Sequence, residues 1–190
     1  ELAIKLGLAF GCDIIHNNYF ARKNYFYPDL PKGYQVSQHT TPICKNGNVI
    51  ISINEKERNV VLNRIHLEED AGKSVHDVDE NYTCIDLNRA GVPLLEIVSE
   101  PDLYSSEEAF AYVTEIRKMV RHLQICDGNM EEGSMRCDAN VSVRLKGAKK
   151  LGTKVEVKNL NSIRNVKKEM DFEIKRVKNF VENDGEVQQK

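Results

Sequence analysis

The chain has 190 residues, and its 27 Lys and Arg against 29 Asp and Glu leave a formal net charge of −2. This small charge excludes a strong overall attraction to nucleic acid, so any RNA contact must come from local patches. No apolar run approaches the roughly 20 residues that span a bilayer, which predicts no contact with a membrane. The five cysteines are scattered and odd in number, which predicts free thiols in a reducing compartment, the bacterial cytoplasm or an organellar matrix, rather than secretion.

The first third of the chain predicts a helix, an aromatic loop and a turn. Residues 1–11 have the pattern of an amphipathic helix with neither an N-cap residue nor an initiating Met, so we expect the chain to be a piece of a longer protein. Residues 24–35 cluster aromatic side chains between two prolines and a glycine, which predicts a structured loop whose aromatic residues either pack on the core or form a binding surface. Residues 45–48, Lys-Asn-Gly-Asn, predict a hairpin turn.

Residues 59–73 predict a strand with an unusual acidic end. If the strand is extended, Arg64, His66 and Glu68 share one face, and Glu69 lies on the apolar face. Burying an uncompensated charge costs several kcal/mol, so either the strand ends before Glu69 or Glu69 meets a cation. For His66, which either donates to an acid or faces the core, the structural role is the expected one. The run of three acids would also suit Mg²⁺, which prefers oxygen ligands.

The middle of the chain repeats the theme of an acid on a β-forming segment. Residues 86–102 predict a polar turn containing Arg89, followed by an apolar strand that is interrupted by Glu96 and stopped by Pro101. Residues 105–123 then predict a helix that begins with a capping box and packs on the sheet.

Residues 132–144 predict a strand whose two faces differ sharply. One face carries Glu132, Arg136 and Asp138 among small polar residues, and the other face is apolar. The polar face either holds a metal ion and a phosphate side by side or is a water-facing surface with ion pairs. Residues 153–160 predict the partner strand, and Asn161 or Ser162 is expected to cap a final helix with a basic outer face, which is either solvated or an RNA contact.

Five segments in order resemble one known family over nearly the whole chain. They are R-K-N-Y-F-Y-P-D-L-P-K-G-Y-Q (22–35), R-I-H-L-E-E-D-A-G-K (64–73), N-R-A-G-V-P-L-L-E-I-V-S-E-P-D (88–102), D-G-N-M-E-E-G-S-M-R-C-D-A-N-V-S-V-R (127–144) and V-E-V-K-N-L-N-S (155–162). The chain resembles the B subunits of the aspartyl/glutamyl-tRNA(Asn/Gln) amidotransferases, the GatB/GatE family. Because five long motifs occur in sequence, the resemblance is far more specific than one short signature would be.

The resemblance implies an α+β fold, an antiparallel sheet with packed helices similar to glutamine synthetase. It also implies an ATP-dependent ligase that needs Mg²⁺ and phosphorylates the side-chain carboxylate of Glu or Asp on a misacylated tRNA. Ammonia then displaces the phosphate to give the amide. The implied partners are the amidase subunit of the amidotransferase, which supplies ammonia, its small third subunit and the misacylated tRNA.

Two departures from the family pattern shape the expected domains. A first strand with a G-L-E-V-H type motif, which supplies a Glu and a His to the family's site, lies upstream of Glu1, and the C-terminal helical and tail domains would follow Lys190. We therefore expect residues 1–160 to be a catalytic domain truncated at its N-terminus. Residues 161–190 are expected to form a helix that closes this domain or leads to further domains. The isolated chain is expected to be inactive.

Seven residues are candidates for the site. The resemblance implies site roles for Glu69 and Asp138, whereas the others are inferred from motif membership and strand phase. The expected metal ligands are Glu69, Asp138, Glu96 and Glu132. Phosphate or nucleotide contacts are expected from Arg136, Lys73 and Arg89, and the catalytic set comprises Glu69, Asp138, Arg136 and Lys73. The alternative function is a tRNA-binding or scaffold module whose acids form only structural ion pairs; a metal-dependent hydrolase lacks a His-rich ligand set.

Overall fold

The computed structural model describes residues 1–182, which combine three helices with strands. The helices are α1 (Leu2–Ala9), α2 (Ser106–His122) and α3 (Ile163–Glu182). The strands are β1 (Asp13–Ile14), β2 (Ala21–Asn24), β3 (Tyr34–Ser37), β4 (Cys44–Lys45), β5 (Asn48–Ile53), β6 (Lys56–Glu69), β7 (Lys73–Val75), β8 (Cys84–Asp86), β9 (Pro93–Ser99), β10 (Cys137–Val141) and β11 (Val155–Leu160). Helices with antiparallel strand pairing confirm the predicted α+β class.

The chain divides into two compact units. The first contains residues 1–48 and 61–101, and the second contains residues 49–60 and the chain from residue 102 onward. Strand β6 contributes residues to both. The predicted boundary between a catalytic domain and a closing segment at residue 161 stays a prediction, and residues 183–190 of that segment lie outside the described residues.

In the first unit, β6 is the central strand of the sheet. It pairs antiparallel with β3, β4 and β9, while β2 extends the sheet beyond β3 and β1 extends it beyond β4. Strands β7 and β8 form a separate antiparallel pair. The apolar face of β6 is buried at Leu62 and Ile65, and the helix α1 adds Leu6 to the same unit's core.

A buried amide joins three segments of this unit. Gln38 is fully buried, and its Oε1 accepts hydrogen bonds from the backbone N–H groups of Ile43 and Leu67 at 3.2 and 3.1 Å. Its Nε2 donates to Oδ1 of Asn18 at 2.8 Å. Because buried backbone donors need partners, Gln38 supplies the acceptor that the sheet itself does not provide at these two positions.

In the second unit, α2 and α3 pack on each other, and α3 also contacts the antiparallel pair of β10 and β11. The predicted apolar stripes are confirmed: Ala109, Val113, Ile116 and Val120 of α2 and Val166, Met170 and Val177 of α3 are buried. Both predicted helix starts are confirmed as well. The Ser105 hydroxyl accepts the Glu108 N–H, and the Ser162 hydroxyl accepts the Asn165 N–H, each at 3.1 Å.

The structure corrects two sequence predictions. The predicted strand over 132–144 is wrong outside residues 137–141, because Asp127 and Asn129 side chains accept backbone N–H groups two or three residues ahead and hold the preceding segment in turns. The predicted hairpin at 45–48 is also wrong. Asn46 and Gly47 adopt positive φ, but the Asn46 N–H donates to Asn63 O and the Gly47 O accepts from the Leu62 N–H. The strands on either side of this turn, β4 and β5, therefore both pair with β6 instead of with each other.

Among residues 1–182, no helix is both long enough and apolar enough to cross a membrane.

Replacing Gln38 with Leu should destabilise the full-length protein by about 2–4 kcal/mol, because the N–H groups of Ile43 and Leu67 lose their buried acceptor. Urea unfolding measures the change. The matched control is His39→Ala at the exposed neighbouring position, which should stay within about 0.5 kcal/mol of the wild type. Equal effects at both positions would contradict the role given to the amide.

Candidate functional site

Two carboxylates meet at a buried histidine in the first unit. His66 on β6 stands opposite Glu96 on β9, and Glu68 lies two residues further along the same face of β6. The Nε2 atom of His66 is 3.5 Å from Oε2 of Glu96 and 3.7 Å from Oε2 of Glu68. One possible ligand atom from each residue lies within 4.8 Å of the others. We call these three residues the carboxylate cluster.

The hydrogen bonds of His66 indicate how the carboxylate cluster is arranged. Nε of Arg64 donates to Nδ1 of His66 at 3.3 Å, so Nδ1 is an acceptor and the neutral ring carries its hydrogen on Nε2, towards the two acids. His66 is only 4% exposed and cannot turn to solvent. Its Nε2 faces Glu96 and Glu68 at 3.5 and 3.7 Å, which is beyond ordinary hydrogen-bond length, so the burial of the ring fits the structural role expected for His66.

The donor set of the carboxylate cluster fits Mg²⁺. This ion takes oxygen ligands and is usually held by one or two carboxylates together with substrate phosphates. The side chain of Glu96 is about half exposed, and that of Glu68 is mostly buried, so the pair is open on one side only. Glu68 also accepts from the Ser37 hydroxyl at 3.4 Å. These two acids, with His66 behind them, are the residues that would hold the metal.

Glu69 points the opposite way from Glu68 and meets a cation. It is 9% exposed, and its Oε1 accepts from the Lys32 ammonium and from the Val36 N–H, the latter at 2.9 Å. Of the two alternatives that the sequence left open, the strand thus reaches Glu69 and the charge is compensated. The hydrogen bond from Lys32, followed by that from Val36, lowers the pKa of Glu69 below its ordinary value of 4.5.

Arg89 is engaged by an aspartate that was not among the predicted site residues. Its Nε donates to Oδ2 of Asp70 at 2.7 Å, and Asp70 is 5% exposed. The backbone of Asp70 also bonds to Gly91 and Val92, so this pair fastens the segment before β9 to the end of β6. Because the carboxylate is buried and needs a cation, the pair of Asp70 and Arg89 has a structural role. The nucleotide contact predicted for Arg89 stays a prediction.

The remaining candidates are exposed and lie in different places. Lys73 begins β7 opposite Asp86 in the first unit. Glu132, Arg136 and Asp138 belong to the second unit, where Glu132 lies in a turn and Asp138 on the solvent side of β10. The alternation predicted for the strand is confirmed within β10, since Ala139 and Val141 are buried. The metal and phosphate roles of these four residues stay predictions.

Three residues of this arrangement, Glu68, Asp70 and Lys32, are not among the seven candidates. Glu68 and Asp70 belong to the run of acids that would suit Mg²⁺, and strand alternation already places Glu68 on the face of His66. Lys32 lies 37 positions before its partner Glu69, and no local pattern predicts such a contact. Asp70 follows the end of β6, where strand periodicity no longer applies.

The model of the family described as the GatB/GatE catalytic domain matches residues 1–190. The chain belongs to this family. Three curated proteins, each named as the B subunit of an aspartyl/glutamyl-tRNA(Asn/Gln) amidotransferase, are similar to it. The protein from Nitratidesulfovibrio vulgaris (strain DP4) is 54% identical over 189 residues, that from Pelodictyon phaeoclathratiforme 58% over 189 residues, and that from Bdellovibrio bacteriovorus 56% over 187 residues.

These alignments cover 98–100% of the chain but only 39–40% of each relative. The chain thus spans about 40% of the length of the curated relatives it matches. The family membership confirms the resemblance carried by the five sequence motifs.

Replacing Lys32 with Met should destabilise the full-length protein by about 1–2 kcal/mol at pH 7, because Glu69 keeps its charge in a buried position without its cation. The lowered pKa of Glu69 means that the pair stabilises the fold above pH 4.5 and that this contribution disappears as pH falls through the folded-state pKa. Urea unfolding at several pH values measures the difference between the two proteins, which should shrink in acid.

The matched variant is Lys32→Met combined with Glu69→Gln. Removing both charges should recover most of the lost stability at pH 7. If the double variant were as unstable as the sum of the single variants, the two side chains would not be coupled.

Proposed function

We propose that the full-length protein to which these residues belong is the component of a tRNA-dependent amidotransferase that activates the misplaced amino acid. The observation that carries the proposal is the pairing of Glu68 and Glu96 at His66 in a chain that matches the catalytic-domain family over all its residues. The relatives' shared name supplies the substrate class, aspartyl or glutamyl groups on tRNA(Asn) or tRNA(Gln).

The proposed reaction has two steps. A side-chain carboxylate oxygen of the misplaced Glu or Asp forms a bond to the γ-phosphorus of ATP, and the bond between that phosphorus and the β-γ bridging oxygen breaks to release ADP. The nitrogen of ammonia then bonds to the acyl carbon, the carbon–oxygen bond to phosphate breaks, and a proton lost from nitrogen leaves with phosphate. The products are an amide, ADP and phosphate.

The protein's share of the first step is charge and position rather than covalent chemistry. Bound Mg²⁺ would neutralise charge on the transferring phosphoryl group. Glu68 and Glu96 would hold that ion, and the buried His66 lies behind both acids. Lys32 and Glu69 form an ion pair on the opposite face of β6.

Other proposed metal and phosphate contacts come from the sequence and the family resemblance. Glu69, Asp138 and Glu132 remain the additional metal acids, and Arg136, Lys73 and Arg89 the phosphate or nucleotide contacts. The proposed partners are an amidase subunit that delivers ammonia, a small third subunit and the misacylated tRNA. Aminoacyl-tRNA is made where translation takes place, so the proposed activity belongs to the bacterial cytoplasm or an organellar matrix.

The test uses the full-length protein assembled with its two partner subunits and supplied with misacylated tRNA, ATP, Mg²⁺ and ammonium. We expect amide formation coupled to tRNA-dependent ATP hydrolysis. Glu96→Gln and Glu69→Gln should each lower that hydrolysis by about 100-fold or more, because charge stabilisation at the phosphoryl group is lost. Filter binding should show tRNA affinity within about three-fold of the wild type, since neither acid is proposed to bind RNA.

The matched control is Glu100→Gln, an acid just beyond the end of β9 whose carboxylate accepts from the Asn63 side chain at 2.7 Å. It should retain activity. A wild-type complex that binds tRNA but forms no amide would overturn the proposed function in favour of a binding or scaffold module. Unchanged hydrolysis in Glu96→Gln or in Glu69→Gln would end the metal role of that acid.

A further inference from the structure

The hairpin of β2 and β3 exposes aromatic side chains that the core does not use. Phe26 is 96% exposed and Tyr27 is 68% exposed, whereas Tyr25 is half-buried. We call these three residues the aromatic tip. Of the two alternatives for this loop, packing on the core is therefore wrong for Phe26 and Tyr27. Large apolar side chains grouped on a surface in this way mark an interaction site.

The aromatic tip is held in place by its own backbone. Strands β2 and β3 pair from Ala21 opposite Ser37 to Asn24 opposite Tyr34. Within the loop, the Tyr25 N–H donates to Gly33 O at 2.9 Å, and the Gly33 N–H donates to Leu30 O at 2.8 Å. Leu30 itself is buried. Phe26 is thus presented by an ordered loop, which lowers the entropy lost when a ligand stacks on it.

Cations lie beside aromatic rings of the same hairpin, at Tyr25 of the aromatic tip and at Tyr34 on β3. Lys23 Nζ lies 5.1 Å from the Tyr25 ring centre, and the Arg22 and Lys32 groups lie 4.7 and 5.0 Å from that of Tyr34. Lys32 is paired with Glu69, but within residues 1–182 Arg22 is exposed and has no ion pair. Aromatic rings interleaved with Lys and Arg suit a ligand that has a flat base and a phosphate, as in single-stranded nucleic acid sites.

Strand β3 of the hairpin reaches the carboxylate cluster, because Ser37 stands opposite Glu68 and its hydroxyl donates to Oε2 of Glu68 at 3.4 Å. Tyr25 and Tyr27 stand 6.5 Å apart between ring centres. The hairpin that carries the exposed rings therefore also pairs, through β3, with the strand that carries Glu68.

We propose that the aromatic tip stacks an unpaired nucleobase at the 3′ end of the tRNA, with Arg22 and Lys23 beside its phosphates. This inference rests on the proposed function, because the amino acid to be activated is attached to that unpaired end. A base stacked on Phe26 anchors the RNA on the hairpin that pairs, through β3, with the strand that carries Glu68. The hairpin then helps to bring the attached carboxylate towards the acids.

The other occupant with suitable chemistry is the base of ATP. Small ligands are usually enclosed in concave sites that bury most of their surface. Phe26, which is 96% exposed at the end of a hairpin, does not line a concave site of this kind. This geometry favours the flexible end of a large substrate, which gains most of its affinity elsewhere.

The test measures the dissociation constants of two RNAs for the full-length protein at one fixed salt concentration. One RNA is intact deacylated tRNA, and the other is the same tRNA without its unpaired 3′ nucleotides. Phe26→Leu, which keeps apolar volume but loses the π face, should weaken binding of intact tRNA by about five-fold or more and leave binding of the shortened tRNA unchanged. Phe26→Trp should bind intact tRNA with at least the affinity of the wild type, because indole offers a larger aromatic face than phenyl.

The control is Phe172→Leu, an exposed Phe on α3 in the second unit, which should change neither constant by more than about two-fold. Equal weakening of both RNAs by Phe26→Leu, or no weakening of either, would overturn the inference. So would a change confined to the affinity for a non-hydrolysable ATP analogue, which would assign the tip to the base of ATP.

The two proposals fail in different ways. If the wild type binds tRNA and forms amide but Phe26→Leu binds intact tRNA normally, only the stacking inference is wrong. If the wild type does not bind tRNA, the proposed function is wrong and the stacking inference falls with it.

Discussion

The charges at the end of β6 must each have a partner, and the first unit is arranged around that requirement. Glu69 and Asp70 are both more than nine-tenths buried, where an unpaired charge would cost several kcal/mol, and the polar ring of His66 is buried as well. Each therefore meets a group from another segment: Glu96 for His66, Lys32 for Glu69 and Arg89 for Asp70. Three separate parts of the chain are thereby tied to one strand end.

Strand alternation gives these charges two different chemical roles. Glu68 and Glu69 are neighbours in sequence but face opposite sides of β6, so one joins the carboxylate cluster and the other is neutralised by Lys32. Within the part of the chain that the structure describes, neither acid of the cluster forms an ion pair with a Lys or an Arg. We propose this pair of carboxylates as a site for a metal ion, whereas Glu69 already accepts from Lys32 and from the Val36 N–H.

Local sequence patterns predicted the helices and most strands, whereas contacts between distant segments determine which side chains meet at the candidate site. The apolar stripes of α2 and α3 and the caps at Ser105 and Ser162 follow from spacing within a few residues, and the structure confirms them. The α+β class, which the structure also confirms, was implied by the family resemblance. The strand over 132–144 was predicted too long, because alternation alone cannot detect the turns that Asp127 and Asn129 stabilise. Glu96 was identified from its apolar surroundings, but its partner His66 depends on register between strands 30 positions apart. A tight turn fixes the register of a hairpin, but β6 and β9 are not joined by one, so no local pattern places His66 opposite Glu96.

The central proposal is that Glu68 and Glu96, with the buried His66 behind them, hold a divalent metal ion. Electron paramagnetic resonance of Mn²⁺ added to the full-length protein in the presence of a non-hydrolysable ATP analogue measures this directly, with Mn²⁺ in place of Mg²⁺. We expect the wild type and Glu100→Gln to bind the ion with similar affinity, and Glu68→Gln and Glu96→Gln each to weaken binding by about ten-fold or more. Unaltered Mn²⁺ binding in both of these variants would contradict the proposal.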